Sequence, residues 1–373
     1  MELWERVDRR ISDDRNRLLV DEAALNPAIH PEQPTGHGAS AERLLDVLEP
    51  AFDGSLPPSC RVYGPPGSGK SVLVSSLFRL LRERFSPSDA PIVTTTRTAV
   101  VPRTEFVYVD ARGSSTFDVL RDLLDALTVE PTPKRGIGFD ELERRVADAM
   151  TTAERTVLAL DHVDESHVEA IRSRLPANAS LATITVGRRP LEGVDNTVRV
   201  PAYSTETLLD ILFARASTAL ASNGFEYALV REIGDWAAGD ATRALTALYA
   251  AAIFAERDGA TSVGTEHVDE AVETTPDRCV HVETLTSLHD SKRIVLDRFV
   301  ELGLTSTGID DTAVTLAADV DLSAETVKRH LYELAQRGVF ERVRTDGTGV
   351  GRPSTRLVPR FSPVVYRRIR GRG

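Results

Sequence analysis

The run Gly64-Pro65-Pro66-Gly67-Ser68-Gly69-Lys70-Ser71 constrains this chain more than any other feature. It fits the spacing G-x-x-x-x-G-K-[ST] at every fixed position, and it lies between a short apolar stretch, Cys60–Tyr63, and a helical one, Ser71–Phe85. Glycines here permit the positive φ angles that turn successive backbone N–H groups inward, and the helix that follows adds the partial positive charge of its N-terminus. A strand, a glycine-rich turn and a helix in that order form a cradle for phosphate. Gly64, Pro65, Pro66, Gly67, Ser68, Gly69, Lys70, Ser71 and Val72 are the residues expected around the bound group, with Lys70 reaching its outer phosphates and Ser71 offering a hydroxyl to Mg²⁺.

Such a cradle needs a carboxylate at the end of a neighbouring strand. Thr156–Asp161 is an apolar run ending in an acid, which makes Asp161 the second metal-holding residue beside Ser71. The next position, where a Glu normally polarises the attacking water, carries His162. A neutral imidazole can orient a water but is a different base with a different reach, so Asp161 and His162 form a catalytic pair from which weak hydrolysis is expected. Asp164 and Glu165 follow in the next turn as substitute acids.

Around these motifs, strands and helices alternate. Phe106–Asp110 and Ala182–Val186 read as strands, and Thr116–Leu127, Phe139–Ala153 and Ser166–Arg174 as helices, which predicts an α/β core with a parallel sheet. After Pro201 the strands stop. Thr205–Ser222, Tyr227–Ala238, Ala241–Asp258 and Gly264–Thr274 have helical period and are rich in alanine, as expected of a small helical lid. The predicted divisions are 1–200 for the core with an N-terminal extension, 201–280 for the lid and 281–373 for a third domain.

Charge sets the third domain apart. The whole chain is acidic, with 45 Lys+Arg against 56 Asp+Glu, and only four of the basic residues are lysines. That balance suits a protein dissolved in concentrated salt, and a GC-rich genome would give the same arginine bias. From Leu285 onward, however, 15 basic residues face 11 acidic ones, and the last 32 residues hold nine arginines and one acid, Asp346. Ile294–Leu302, Thr312–Ala318 and Ala324–Arg337 read as three helices, Ser323 as the N-cap of the third, and Val339–Val343 with Ser354–Val358 as a hairpin around the glycine-rich Asp346–Arg352. Three helices and a basic hairpin predict a winged helix-turn-helix. Lys328, Arg329 and Tyr332 on the outer face of its third helix, and Arg344, Arg352 and Arg356 in the wing, are the candidate DNA contacts.

Other classes drop out. The two cysteines, Cys60 and Cys279, cannot make a disulfide scaffold, and no run approaches the ~20 apolar residues of a membrane span. The charged start, MELWERVDRRISDDRNR, lacks the apolar core of a secretory signal, so a cytoplasmic location with no membrane partner is expected.

These residues resemble the archaeal origin-recognition and replication-initiator family of AAA+ ATPases. LNPAIHPEQP resembles the family's N-terminal segment and YGPPGSGKS its phosphate loop. Asp110-Ala111-Arg112 followed by Thr116–Leu127 resembles a helical insertion that contacts DNA. Val200-Pro201-Ala202-Tyr203 with LLDILFARA resembles the junction into the lid, and Gly239-Asp240-Ala241-Thr242-Arg243-Ala244-Leu245 the lid's second sensor. The resemblance implies ATP or ADP with Mg²⁺ as cofactors, Tyr203 and Arg215 beside the nucleotide, and double-stranded DNA at an origin-like site as partner. Other initiator paralogues or a replicative helicase are the further partners it implies. Three departures stand out: His162 in place of Glu, Thr242 where the second sensor's Arg is expected, and no Asn at the end of the strand in ATITVGRRP. They suggest a divergent paralogue that uses nucleotide occupancy more than turnover. A nucleotide-switched winged-helix transcription or signalling regulator would share both end motifs, and so would a DNA-binding scaffold that nucleotide merely stabilises.

Overall fold

The computed structural model describes residues 17–29, 31, 34–85, 104–112, 114–128, 136–163, 165–176, 180–280, 282–344 and 355–371. Leu3, Val7 and Ile11, which recur at the spacing of an amphipathic N-terminal helix, lie outside them. The chain forms two compact units, one of residues 31–202 and one of residues 1–30 with 203–373.

The first unit is built on five parallel strands, β1 (Cys60–Tyr63), β2 (Thr104–Asp110), β3 (Arg155–Asp161), β4 (Leu181–Gly187) and β5 (Asn196–Arg199), in the order β2-β3-β4-β1-β5. Alternate side chains of each strand go to opposite faces. On one face Val62, Phe106, Val157, Ala159 and Ile184 pack with Leu73, Val74 and Phe78 of the Lys70–Phe85 helix and Leu44 and Leu48 of the Gly38–Phe52 helix. On the other face Val107, Val109, Leu158 and Leu160 meet the helices Thr116–Leu127, Phe139–Thr152 and Glu165–Arg172. A strand buried on both sides needs an unbroken apolar run, which is why β3 reads Val-Leu-Ala-Leu before its acid. The expected strands and helices of this region are present. An additional strand is β5, which escapes periodicity because it is an edge strand with Val198 alone buried.

The second unit contains the lid helices Thr205–Ala219, Tyr227–Ala237, Ala241–Arg257 and Thr265–Thr274. It also contains a C-terminal helical domain: Asp290–Leu302, Ile309–Ala317 and Ala324–Gln336, then an antiparallel pair, β6 (Phe340–Arg344) and β7 (Thr355–Pro359). Val327, Leu331 and Leu334 form the buried stripe of the third helix, and Ser323 caps it by accepting from Thr326 N. A final helix, Pro363–Arg370, was not expected. Three of its eight residues are arginine, and its apolar content is spent on two different cores: Val365 enters the lid cluster while Tyr366 enters the C-terminal one.

That helix also revises the charge reading. Arg368 bonds Glu22 (2.6 Å) and Glu256 (2.6 Å), and Glu22, 5 % exposed, also accepts from the Tyr249 hydroxyl. Arg370 pairs with Asp297, which accepts from Tyr366 Oη as well. Arg368 and Arg370 are therefore spent on ion pairs within the fold. Among the described residues no helix is long and apolar enough to cross a membrane.

Candidate functional site

The phosphate loop leaves the C-terminal end of β1 and enters the Lys70–Phe85 helix. Gly67 and Gly69 have φ of 64° and 75°, the left-handed region that a side chain would strain. Gly64 is required for another reason: a Cβ there would stand 1.9 Å from the Val200 carbonyl oxygen. Lys70 Nζ donates to Pro65 O (2.6 Å) and Ser68 Oγ (3.2 Å), so the loop closes on its own cation. Ser68 and Ser71 are buried at the base of the cradle, and Val72 is half-buried on the first turn of the helix. Two left-handed glycines, the N-terminus of the following helix and the ammonium together suit a phosphate chain. His37, buried at the start of the Gly38–Phe52 helix, belongs to this neighbourhood: burial and then the Lys70 charge hold its imidazole below its ordinary range. Nothing in its sequence context signals that.

Asp161 ends β3 and is 1 % exposed. Tyr108 Oη donates to its Oδ2 at 2.7 Å, and burial followed by the Asp161 charge pushes that phenol well above its usual value. Among the described residues no cluster of three or more His, Cys, Asp or Glu is arranged to hold a metal. A divalent ion here would rest on Asp161, the Ser71 hydroxyl and the phosphates it accompanies, which matches the way Mg²⁺ is held with few protein ligands.

His162 has φ of 60° and sits in a polar cluster rather than open to the cradle. Its backbone N–H donates to Asp161 Oδ1 (2.7 Å). Nδ1 is 3.1 Å from Asp110 Oδ1, and Nε2 is 3.1 Å from Arg112 Nη2. Nη2 is also 3.3 Å from Nδ1, so it stands near both ring nitrogens rather than along the lone pair of one, and Nδ1 is 3.2 Å from Asp161 Oδ1 as well. Arg112 in turn pairs with Asp110 Oδ2 at 3.2 Å. Asp110 and Arg112, quoted at the sequence level only as part of a DNA-contacting insertion, thus belong to the edge of the phosphate site. The signal was available in the alignment of strand ends, because Asp110 and Asp161 are register partners. Val119, Leu120, Leu123 and Leu124 of the helix that follows are buried in the core. Asp164 lies outside the described residues.

The remaining candidates are in the other unit. Tyr203 packs against the lid cluster and donates its N–H to Gly239 O (3.2 Å). Arg215 donates to the carbonyls of Ala24 (3.0 Å) and Ile29 (2.7 Å), holding the N-terminal segment. Arg243, next to Thr242, stacks on Trp236 (3.8 Å) and pairs with Asp277 (2.7 Å). On the Ala324–Gln336 helix, Arg329 is exposed, with Glu333 at 3.9 Å, while Lys328 is ion-paired with Asp310 at 2.6 Å. Tyr332 lies under Arg342, 5.5 Å from ring centroid to guanidinium. Arg344 is exposed at the end of β6, Arg356 half-buried in β7, and Arg352 lies outside the described residues.

Burial alone would raise the Asp110 carboxyl, but the His162 hydrogen bond and the Arg112 charge outweigh it and hold the group down at about 2, against 3.8 when free. A lowered folded-state value stabilises the fold above the unfolded value and is lost as pH falls through the folded one. Asp110→Asn should therefore be destabilising at neutral pH, and its difference from the wild type should shrink from about pH 4 to about pH 2. Urea titrations across that range test this, and a pH-independent difference would refute it.

Comparison with known proteins agrees with this geometry. Residues 33–186 match the AAA ATPase domain family and residues 209–273 the Cdc6 AAA+ ATPase-type lid domain. The chain is 28 % identical over 355 residues to ORC1-type DNA replication protein 1 of Sulfurisphaera tokodaii, covering 87 % of this chain and 85 % of that protein. It is 27 % identical over 370 residues to ORC1-type DNA replication protein 9 of Halobacterium salinarum, covering 96 % and 99 %. The Aeropyrum pernix ORC1 protein, solved in complex with DNA, has the same fold, with a TM-score of 0.60, 21 % identity and coverage of 94 % and 96 %. Cdc6p of Pyrobaculum aerophilum follows with a TM-score of 0.54, 19 % identity and coverage of 95 % and 99 %. With the parallel sheet, the phosphate loop and the lid all present, the chain belongs to the archaeal ORC1/Cdc6 family of AAA+ ATPases.

Proposed function

We propose that this chain is a replication initiator that binds ATP or ADP with Mg²⁺, recognises double-stranded DNA at an origin-like site, and hydrolyses nucleotide slowly. The observation that carries the reading is the intact phosphate cradle in a chain whose curated relatives, matched over most of their length, are DNA replication proteins. Residues 1–200 act as the nucleotide-binding core, 201–280 as the lid and 281–373 as a winged-helix DNA-binding domain. The backbone amides of Gly67, Ser68 and Gly69, with Lys70, bind the phosphates. Ser71 and Asp161 hold the Mg²⁺, which when bound neutralises charge on the phosphates. Tyr203 and Arg215 are the further nucleotide-binding residues of this reading, as the family resemblance implies. Slow turnover follows from His162: an imidazole held beside Asp110 and Arg112 stands where a carboxylate would polarise the attacking water.

Lys70→Ala should abolish ATP and ADP binding in calorimetry at high salt while leaving the melting profile intact; unchanged affinity would sink the assignment. In the same preparations His162→Glu should raise ATP turnover, by as much as the about 10²–10⁴-fold a well-placed general base supplies.

For DNA, the Ala324–Gln336 helix enters the major groove and the β6–β7 wing, with Arg344, Arg352 and Arg356, lies along the backbone. Arg329 is the exposed cation of that helix and the residue to read a base edge, with Lys328 and Tyr332 beside it. The solved Aeropyrum complex is a fold relative bound to DNA and supports this reading. Arg329→Ala should weaken the preferred duplex by about 1–3 kcal/mol and flatten sequence preference, whereas Arg344→Ala should weaken preferred and scrambled duplexes alike. Competition titrations at several salt concentrations separate the two, and equal losses for both variants on both duplexes would mean that another element reads the sequence.

A further inference from the structure

Arg61 is a charged residue in the middle of a buried strand. Its neighbours Cys60 and Val62 are sealed into one face of the sheet, and its own side chain leaves from the opposite face, 3 % exposed. The side chain runs toward the C-terminal edge of the sheet. Nε donates to Arg189 O at 3.0 Å, and the guanidinium lies over Gly187, where a Cβ would stand 2.0 Å from Nη2 and 2.7 Å from Cζ. Gly187 is the last residue of β4, and its carbonyl accepts the N–H of Gly64 at 3.3 Å. The guanidinium therefore sits beside the residue from which the phosphate loop starts. Nη1 is buried and has no hydrogen-bond partner among the described residues.

A buried guanidinium with unmet donors is costly, and a methionine of similar length would pack here without that cost. The donors left over are of the kind that bind an anion in fork geometry. Burial pulls the Arg61 guanidinium below its ordinary range while the Asp161 charge opposes that shift, so Arg61 lies within the electrostatic reach of the acid at the phosphate site. The space it fills is also the space left by a missing side chain: the strand in ATITVGRRP ends in Gly187, with no Asn there.

We propose that Arg61 reads the terminal phosphate of a nucleoside triphosphate, occupying the seat that the glycine at the end of β4 leaves open and donating from Nη1. The inference rests on the nucleotide-binding reading above and adds what that reading lacks, a residue that distinguishes triphosphate from diphosphate. The loop amides and Lys70 grip the phosphates that both ligands share. The alternative role is a staple, in which Arg61 only anchors the Arg189 carbonyl.

The experiment is calorimetry on the full chain with Mg²⁺, titrating ADP and a non-hydrolysable ATP analogue. Losing a charge-assisted hydrogen bond costs roughly ten- to a hundredfold in affinity. Arg61→Met should show that loss for the triphosphate while the ADP affinity stays within about threefold, a change below half of one tenfold step. Gly187→Ala keeps Arg61 but displaces its guanidinium by adding the Cβ, and should reproduce the selective loss; it also serves if Arg61→Met does not fold. Equal weakening of both ligands, or a lowered melting temperature with an unchanged ratio of affinities, assigns the staple and overturns the proposal. A wild type that binds neither ligand, with Lys70→Ala indistinguishable from it, overturns the nucleotide reading itself and this inference with it.

Discussion

The pairing of β1 with β4 carries past the ends of both strands, and the phosphate site depends on that extension. Tyr63 and Gly187 are register partners, and the next N–H, that of Gly64, donates to Gly187 O. On the other side Val200 N donates to Tyr63 O, and the Val200 carbonyl then closes over Gly64 so tightly that only glycine fits. The first residue of the loop is therefore pinned between two parallel neighbours. Parallel register also brings Asp110 and Asp161 level at the same edge. A slip of one residue would exchange the two faces of every strand, so the apolar alternation that stabilises the core is the same constraint that aims the acids.

At that edge, polar groups satisfy one another. Tyr108 serves Asp161, His162 bridges Asp110 and Arg112, and Arg112 returns to Asp110. In a partly buried setting such a network rigidifies the strand ends, and every lone pair it uses is withdrawn from chemistry. The departure of His162 from Glu is thus more than a change of base. The imidazole has been recruited into holding β2 to β3.

Much of this was legible from residues. The phosphate loop, Asp161, the three strands β2, β3 and β4, and the buried stripe Val327, Leu331 and Leu334 follow from spacing and period, because each reflects a repeat imposed by backbone geometry. What period does not encode was missed. β5 buries only Val198, too little for an alternation, and Pro363–Arg370 divides its apolar residues between two cores. Arg61 reads as an interruption of a short strand, and its meaning depends on Gly187, 126 positions away in sequence and adjacent in space. Arg112 and His37 likewise acquire roles only through partners the fold supplies.

The arginines of the C-terminal domain show why net charge is a poor guide to a surface. Arg368 and Arg370 neutralise Glu22, Glu256 and Asp297, so part of the basic excess fastens the last helix to the N-terminal segment, the lid and the Asp290–Leu302 helix. On the outer helix Lys328 is matched by Asp310, and Lys292 by Glu333. A cation already paired must give up its acid before it meets a phosphate, and the exchange returns little net Coulomb energy in a screened solvent. Any attraction such a face exerts on a polyanion rests on loosely held cations, Arg329 with Glu333 at 3.9 Å being one, rather than on the sum of charges. In an acidic chain of this composition, internal pairs such as Arg298 with Asp319 and Arg370 with Asp297 fasten the domain while removing those cations from its net field.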